Sequence, residues 1–502
     1  MTAEPSAELA ARAAAQHVVV VGGGIGGLIA ARECAKVGMR VTLLEASESL
    51  GGSIRTAELD GITVDVGAES FATRGGHVRE LIDELGLADA VVSPQGGGAW
   101  LSGIPNTPDA KLPGGGLLGI PANPFQDDVR AIIGWRGAWR AYVDRLRPPL
   151  TIGHERSLGK LVRSRMGARV HDRLVAPVTV GVYSARPDDV DTDVAAPGLN
   201  ASLTRVGSLS GAVASLAADR KGKAPGAAVQ GLAGGMGRLV AALHAELEKY
   251  GVDIRTGAAV SALTRDGGAW SVTAEIAHPD AEDAPDAEIV PDVEADAETE
   301  ETITATAVIL ATPEPAARAL ASTLIPDLGE AGAAPEIEIV TLLLDSSELD
   351  AAPRGSGVLT VPGSHTAKAL THSTVKWGWL RDSAAGRHLV RVSFGTQGEP
   401  APTADLDDEA AAALALAEAS ALLGVTLRPD QLVASNRARF VQAQPASLIG
   451  AAERRSAARE AMQKVPGLGV VGAWMAGTGL AQVIPDAVGE ADRVRAALLW
   501  QD

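Results

Sequence analysis

The sequence predicts an α/β fold in which a Rossmann-like dinucleotide-binding domain is joined to a mixed-sheet domain and an inserted helical domain. Residues 17–45 have the pattern of a strand, a glycine turn, a helix and a second strand near the start of the chain. Apolar runs typical of strands recur at residues 337–344 and 389–394, far outside that unit. Residues 130–186 have the spacing of helices and carry many arginines. With 502 residues, the chain is long enough for several domains.

The first strand and the glycines after it predict a nucleotide-binding turn. Four consecutive valines at residues 18–21 indicate a strand buried on both faces, as in parallel sheets of α/β domains. Gly22, Gly24 and Gly27 follow in a G-x-G-x-x-G pattern. The first glycine permits a tight turn, the second lets a pyrophosphate approach the backbone, and the third lets the helix pack on the strand.

The next helix and strand complete this unit. A helix at residues 28–36 would direct free N–H groups and a positive dipole end at the phosphates. The strand at residues 40–44 ends at Glu45, which is placed to accept hydrogen bonds from a ribose. The unit therefore predicts a bound dinucleotide, and it leaves the choice of dinucleotide open.

The segment after this acid favours FAD over NAD. Gly51, Gly52 and Arg55 lie in the sequence LGGSIRT. This second glycine pair with a basic residue after it resembles the flavin-dependent amine oxidase superfamily. The resemblance implies FAD as the cofactor and a fold of the glutathione-reductase/amine-oxidase type.

Later segments indicate that the chain leaves the FAD-binding domain and returns to it. A glycine loop with a helix at residues 230–250, strands within 252–276, a strand at 302–311 and a glycine-rich turn at 467–484 are typical of such a return. The predicted parts are a loose helical extension (1–16), an FAD-binding domain (17–92, 228–327 and 433–502), a substrate-binding domain (93–125 and 328–432) and a helical domain (126–227).

The charge distribution excludes some partners. A net charge of −18 argues against a nucleic-acid partner, which would require a basic face. Residues 278–301 hold eleven acids and neither lysine nor arginine, which predicts a solvated surface loop between two strands without a catalytic role. Residues 130–186 have a local excess of nine positive charges. These arginines are either solvated on helix surfaces or serve an anionic substrate or an anionic membrane surface.

The compartment is predicted to be the cytoplasm, with peripheral membrane contact left open. The uncharged residues 465–485 contain too many glycines and prolines for a membrane span, and residues 1–16 lack the pattern of a signal peptide. Cys34 is the single cysteine and is expected to be a small packed side chain in a reducing compartment. The sequence is compatible with a monomer or a homodimer.

Two further motifs narrow the resemblance. Both resemble motifs of the oxygen-dependent protoporphyrinogen and coproporphyrinogen oxidases. VGVYSARPDDV at residues 180–190 is similar to their G-[IV]-Y-x-x-x-P-x-x-L element, and TVKWGW at residues 374–379 is similar to their K-W-P motif. The chain departs from that family at Gly378, where proline is usual, and at Ser447 and Ala451, where tyrosine and histidine are usual. The resemblance implies oxidation of a porphyrinogen by FAD with O2 as acceptor and H2O2 as by-product, in heme biosynthesis. The high arginine content resembles actinobacterial members, which favours coproporphyrinogen III over protoporphyrinogen IX.

Other functions stay open at this point. A carotenoid desaturase or a polyamine oxidase would share the flavin unit, although the arginines and residues 180–190 favour an anionic ring substrate. A flavin- or porphyrin-binding protein without turnover is the alternative from another class.

The site residues follow from these motifs and from the resemblance. No catalytic side chain and no metal are expected, because flavin N5 carries the chemistry and no histidines or cysteines lie at ligand spacing. The predicted substrate-binding residues are Arg55, Arg74 and Lys376 for the propionates, with Tyr183 and Trp377 against the macrocycle. The predicted cofactor-binding residues are Gly22, Gly24, Ile25, Gly26, Gly27, Glu45, Ala46, Gly51, Gly52, Ser53, Arg55, Gly67, Ala68, Glu69, Ser70, Val260, Ala311, Thr312, Gly472, Trp474, Gly479, Leu480, Ala481 and Val483.

Overall fold

A computed structural model describes residues 4–95, 97–147, 154–218, 229–276, 299–332, 336–441 and 447–500. The strands are β1 (His17–Val21), β2 (Arg40–Leu44), β3 (Thr56–Leu59), β4 (Ile62–Asp65), β5 (Phe71–Ala72), β6 (Val91–Val92), β7 (Ala99–Ser102), β8 (Ala110–Lys111), β9 (Val229–Leu232), β10 (Asp253–Arg255), β11 (Ala258–Asp266), β12 (Ala269–Ile276), β13 (Thr299–Ala305), β14 (Ala307–Leu310), β15 (Ile337–Leu344), β16 (Gly357–Thr360), β17 (Ala369–His372), β18 (His388–Phe394), β19 (Leu432–Phe440) and β20 (Leu468–Val470).

The described residues also form α-helices, and α4 to α10 follow one another between β8 and β9. They are α1 (Glu4–Ala14), α2 (Ile25–Ala35), α3 (His77–Glu84), α4 (Asp127–Tyr142), α5 (Leu158–Met166), α6 (Ala168–Val170), α7 (Ala176–Tyr183), α8 (Thr192–Ala195), α9 (Leu199–Val206), α10 (Leu209–Ala218), α11 (Gly237–Lys249), α12 (Glu314–Ala321), α13 (Ser373–Lys376), α14 (Gly378–Ala384), α15 (Asp408–Leu423), α16 (Ala451–Gln463), α17 (Ala473–Ala476) and α18 (Leu480–Trp500). Within the described ranges, every helix is too short or too polar to cross a membrane.

A five-stranded parallel sheet with the order β10-β2-β1-β14-β20 organises the first core. The valines of β1 explain why this strand is central. Val18 and Val20 pack into a core with α2, α11 and α18, whereas Val19 and Val21 pack on the opposite face. Because both faces are covered, the strand is apolar throughout, and the predicted doubly buried strand is confirmed.

The second face of this sheet is covered by the antiparallel sheet β11-β12-β13. Residues 302–311, predicted as one strand, are in fact two. Thr306 separates them, and its N–H donates to the carbonyl of His17 at 2.8 Å, so that β13 stays in the antiparallel sheet and β14 enters the parallel one. Most of the predicted acidic loop, residues 277–298, lies outside the described residues.

The seven-stranded sheet has the order β19-β15-β18-β17-β16-β7-β8 and is mixed, because only β16 and β7 pair in parallel. One face packs on α15 through Val340 and Leu342. The other face packs on the β3–β4 hairpin and α14 through Leu343 and Leu389. This sheet therefore stands directly against the part of the chain that follows the second glycine pair.

Helices α4 to α10 form a separate core, which also takes in Leu359 from β16. Gly134 breaks α4 with a φ of +68°, so two helical pieces meet there at a kink. Residues 171–175 form a π-helical turn that leads into α7. The predicted helix at 158–166 is confirmed as α5.

The N-terminal extension is packed rather than loose, which corrects the sequence-based expectation. Ala13 is buried in the core of the parallel sheet, and Arg12 donates from Nη1 to the carbonyl of Leu499 at 2.7 Å. Cys34 is buried in α2, as predicted. The domain boundaries stay predictions.

Candidate functional site

The glycines at the end of β1 are required by close backbone contacts. Gly22 has a φ of +108°, and a Cβ on it would lie 2.8 Å from the carbonyl oxygen of Ala311. A Cβ on Gly27 would lie 1.9 Å from the carbonyl oxygen of Gly22. Since real Cβ atoms do not come this close, neither position tolerates a larger residue without movement of the turn.

The two glycine loops of the sequence touch each other. Gly51 donates its N–H to the carbonyl of Gly23 at 2.9 Å, and Gly24 and Gly51 form a parallel β-bridge. Gly51 and Gly52 have φ values of +114° and +61°. A Cβ on Gly52 would lie 3.2 Å from the Cα of Gly24. The loop with Gly51 and Gly52 therefore packs directly against the loop with Gly23 and Gly24.

Helix α2 begins at this junction. Gly24 is its N-cap and accepts the first helical hydrogen bond from Leu28 at 2.9 Å. The N–H groups of Ile25, Gly26 and Gly27 have no partner within the helix and carry the positive end of the helix dipole. This end can bind a pyrophosphate.

Glu45 lies at the end of β2, beside the same turn. Its Oε2 accepts from the N–H of Gly23 at 2.6 Å, and its Oε1 accepts from the N–H and the hydroxyl of Ser47. The carboxylate is partly exposed, so its remaining lone pairs are available to ribose hydroxyls. The carbonyl of Glu45 accepts from Ala258 at 2.8 Å, which places Val260 of β11 on this side of the site.

The C-terminal segment closes the site from the other side. A Cβ on Gly26 would lie 3.1 Å from the Cα of Gly472, so α2 and this turn are in contact. Trp474 is buried and donates from Nε1 to the carbonyl of Thr312 at 3.1 Å. The indole therefore supports the end of β14.

Helix α18 begins at Leu480, among residues that are predicted to bind the cofactor. Gly479 has a φ of +101°, and open space surrounds the position of its absent Cβ. The N–H groups of Leu480 and Ala481 belong to the first turn and have no partner within the helix. Val483 donates to Gly479 at 3.1 Å and is buried.

A charged cluster of Glu69, Lys376 and Arg391 lies next to Gly67, which is also a predicted cofactor-binding residue. Glu69 accepts from Lys376 Nζ at 2.5 Å and pairs with Arg391 Nη1 at 3.0 Å. Arg391 also donates from Nη2 to the carbonyl of Gly67. Burial alone would raise the pKa of Glu69, but Lys376 and Arg391 outweigh it and lower the pKa to about 2. The carboxylate is thus ionised at neutral pH.

Asp65 stands next to this cluster at the end of β4. Both of its carboxylate oxygens accept from the N–H of Met236 at 2.9 Å, immediately before α11. Burial raises the pKa of Asp65 to about 6, against the lowering effects of the Met236 N–H and the charge of Arg391. The cluster therefore holds two carboxylates and two cations.

The predicted substrate residues have different surroundings. Arg55 is exposed, donates to the carbonyl of Gly52 at 3.2 Å and lies 5.3 Å from the centroid of the Phe440 ring. Arg74 is exposed and has no hydrogen bond or ion pair with any residue that the structure describes. Both side chains are accessible to a ligand, and their role stays a prediction.

Three other predicted residues are more enclosed. Lys376 is engaged by Glu69 and lies 5.2 Å from the centroid of the Trp377 ring. Trp377 is only 2 % exposed and belongs to the core between the β3–β4 hairpin and the seven-stranded sheet. Tyr183 is half-buried at the end of α7, against the helical core. Their contact with a macrocycle stays a prediction.

The residues of the glycine turns fit a dinucleotide, because turns that exclude Cβ atoms, a helix N-terminus and an acid surround one place. The model of the flavin containing amine oxidoreductase family matches residues 25–499. The chain belongs to this family. As a flavin containing amine oxidoreductase, it is an oxidoreductase with FAD as its cofactor.

Relatives of this amine oxidoreductase align along almost the whole chain. A coproporphyrinogen III oxidase of Propionibacterium freudenreichii subsp. freudenreichii is 28% identical over 96% of this chain and 91% of its own length. One of Bacillus subtilis (strain 168) is 24% identical over 94% and 96%, respectively. One of Mycobacterium bovis is 29% identical over 94% and 95%.

Solved structures share the fold of this amine oxidoreductase. A protein of Exiguobacterium sp. 255-15, described as a protoporphyrinogen oxidase, has a TM-score of 0.77 at 23% identity and covers 96% of this chain and 99% of its own. Reduced UDP-galactopyranose mutase has a TM-score of 0.66 at 13% identity, with 96% and 97% covered. These likenesses confirm the predicted fold class.

The sequence does not predict two charged residues of this cluster, Asp65 and Arg391. It predicts Glu69 as a cofactor-binding residue, but not its ion pairs. A signal was present, since Arg391 stands between Val390 and Val392 in the middle of strand β18, and buried charges in strands are normally paired. The partners could not be identified, because Glu69 and Lys376 are 307 residues apart in sequence.

Proposed function

We propose that the protein oxidises coproporphyrinogen III to coproporphyrin III with O2, in heme biosynthesis in the cytoplasm. The observation that carries this proposal is the near full-length alignment with three coproporphyrinogen III oxidases, each over at least 94% of this chain. The motifs at residues 180–190 and 374–379 support the same substrate class. Protoporphyrinogen IX is the second candidate, since a chloroplastic protoporphyrinogen oxidase of Nicotiana tabacum is 32% identical over 38% of this chain.

In the proposed reaction, the main role of the protein is to bind the porphyrinogen and orient it. A bound FAD would supply the redox chemistry, namely uptake of a hydride for each two electrons removed and reoxidation by O2 to give one H2O2. The residues of the chain hold the porphyrinogen and exclude competing reactions. Its propionates need cationic or N–H partners, because an unpaired carboxylate removed from water is costly. Arg55 and Arg74 are the accessible cations proposed for this role.

The test uses the purified flavin-loaded protein in air. Coproporphyrinogen III should be consumed with rising porphyrin fluorescence and one H2O2 for each two-electron step, and faster than protoporphyrinogen IX. A faster rate with protoporphyrinogen IX would favour the second candidate. Turnover of a polyamine or a carotene with neither porphyrinogen oxidised would contradict the substrate class, and a yellow protein that oxidises none of them would be a binding protein.

We also propose peripheral contact with an anionic membrane surface through an aromatic patch on α4. The patch consists of Phe125, Trp135, Trp139 and Tyr142, and the tryptophans are 59% and 58% exposed. Aromatic side chains with cations beside them are suited to the interface of anionic lipids. Arg130 supplies one such cation, 4.4 Å from the centroid of the Trp135 ring.

A further inference from the structure

A small cavity lies between β4, the corner of α13 and α14, and the inner face of the seven-stranded sheet. Its volume is about 10 Å³, which is about the space that one water molecule requires. Thr341, Trp377 and Arg391 line it, beside Glu69 and Asp65. This volume is far too small for a tetrapyrrole ring.

Three buried polar atoms belong to residues that line this cavity. Thr341 Oγ1, Trp377 Nε1 and Arg391 Nε have no hydrogen-bond partner among the described protein groups. Thr341 and Arg391 are direct neighbours across β15 and β18. A buried polar atom without a partner is costly, and three around one cavity indicate that the cavity contains a shared ligand.

Charge and hydrogen-bonding capacity decide the kind of ligand. The cations of Lys376 and Arg391 face the carboxylates of Glu69 and Asp65, so the surroundings are balanced and do not favour an anion. Two of the three polar atoms are N–H donors, and the hydroxyl of Thr341 can either donate or accept. A ligand that both accepts and donates, and has the size of the cavity, is water.

We propose that this cavity binds one ordered water, which accepts from Arg391 Nε and Trp377 Nε1 and donates to Thr341 Oγ1. The water joins β15 and β18 to the α13–α14 corner. Arg391 also binds the carbonyl of Gly67 and the carboxylate of Glu69, which are predicted to contact FAD. By fixing Arg391, the water therefore fixes the position of these two residues. This role is independent of the substrate proposed above.

A crystal structure of the flavin-loaded protein tests the water directly. Density for a single oxygen within hydrogen-bond distance of Arg391 Nε, Trp377 Nε1 and Thr341 Oγ1 is expected. A cavity without density, or one closed by side-chain rearrangement that pairs these atoms with each other, overturns the proposal. Neither outcome depends on whether the protein oxidises a porphyrinogen.

Flavin affinity tests the role of the water. Thr341→Val and Trp377→Phe should each raise the Kd for FAD by about two- to tenfold, because each removes one partner of the water. The double variant should be little worse than either single one, since both act through the same molecule. Additive losses would overturn the shared-water role, as would unchanged Kd values in both single variants.

Two further variants control for packing. Thr341→Ser keeps the hydroxyl and should keep the affinity for FAD. Trp270→Phe removes another buried indole N–H without a partner, in the antiparallel sheet of the FAD-binding core, and should leave the Kd unchanged. If Trp270→Phe weakens FAD as much as Trp377→Phe does, the effect is loss of indole packing and the proposal fails.

Discussion

Glu69 illustrates how single residues organise the interior of this protein. Its carboxylate contacts Lys376 and Arg391, and these ion pairs lower its pKa to about 2 although burial acts in the opposite direction. Lys376 was expected to meet a substrate propionate, but its ammonium has an internal partner. Lys376 is half-buried, and a cation that already has a carboxylate partner gains less from a second one, so the accessible arginines are better suited to the substrate.

Arg74 is the residue whose predicted role can be tested most simply. Because its guanidinium is exposed and has no partner within the described chain, Arg74→Ala should remove a substrate contact without disturbing packing. The KM for coproporphyrinogen III should rise by roughly tenfold, and the flavin content should stay unchanged. Steady-state kinetics and the ratio of flavin to protein absorbance measure both.

Arg79→Ala is the matched control for this change. Arg79 lies in the adjacent helix α3 and is paired with Asp83 at 2.8 Å, so its loss should leave KM unchanged. Loss of flavin from Arg74→Ala would mean that this arginine belongs to the cofactor site instead.

Lys368 is a buried cation of a different kind. It is 6% exposed, donates to the hydroxyl of Ser184 at 2.6 Å and pairs with no carboxylate among the described residues. Burial lowers the pKa of Lys368 to about 7. Below pH 7 both folded and unfolded chains carry the charge, and the full cost of burial applies. Above pH 7 the unfolded chain binds more protons, so stability rises with pH up to the ordinary lysine range.

Replacement of this lysine should therefore stabilise the protein in a pH-dependent way. Lys368→Met is expected to raise the free energy of unfolding by about 1–3 kcal/mol near pH 7, with a smaller gain toward pH 10. Thermal unfolding at several pH values measures this. Lys249→Met removes an exposed lysine and should give no such trend. A gain that is the same at every pH would contradict the assignment to Lys368.

At the scale of elements, local units were predictable and long-range pairings were not. The β1–α2–β2 unit follows from glycines and apolar runs that are adjacent in sequence, and β2 has the predicted bounds. The seven-stranded sheet requires β7 to pair with β16, more than two hundred residues away. The register between such strands depends on tertiary packing, and the sequence pattern of either strand alone does not determine it.

Helix α4 also shows what spacing can and cannot predict. Trp135 and Trp139 are spaced i, i+4 and lie on one face of the helix, but this spacing does not reveal that the face is exposed. Of the 8 Trp, 3 Tyr and 4 Phe in the chain, four lie in this aromatic patch. Exposed apolar patches of this kind are typical of interaction surfaces.

The membrane proposal assigns this patch to anionic lipids. The double variant Trp135→Ser/Trp139→Ser should bind vesicles containing phosphatidylserine about tenfold more weakly than the wild type, because interfacial tryptophans are lost. Sedimentation with these vesicles and with pure phosphatidylcholine vesicles measures the affinity. Trp500→Ser, at another exposed tryptophan at the end of α18, should have no effect. If the double variant binds these vesicles as tightly as the wild type does, the aromatic patch is not the membrane contact.

The whole molecule depends on contacts between segments that are distant in sequence. Four hydrophobic cores of the described residues combine elements from both halves of the chain, including Leu448 with the helical core and Ala438 with the β3–β4 hairpin. The sequence could predict that the FAD-binding domain is discontinuous, since its motifs recur late in the chain. The ion pairs and cavity at the contact of β4 with the seven-stranded sheet could not be predicted, because they require both partners in three dimensions.

The acidic segment at residues 277–298 is predicted to be dispensable for the fold, and its deletion tests this. β12 and β13 pair in antiparallel register as far as Ile276 and Thr299, which are direct cross-strand neighbours. The two strands can therefore be joined by an Asn-Gly turn in place of residues 277–298. The shortened protein should keep its flavin content and thermal stability, whereas Val272→Asp in the same hairpin should unfold it, because Val272 is fully buried.

Activity should also survive this deletion, with a specific dependence on salt. The deletion removes nine carboxylates from a chain of net charge −18. If the substrate is an anionic porphyrinogen, its association should become faster at low ionic strength, by less than about tenfold, and the difference should vanish near 0.5 M salt as screening increases. A lower rate at all salt concentrations would instead assign the acidic segment a direct part in the reaction.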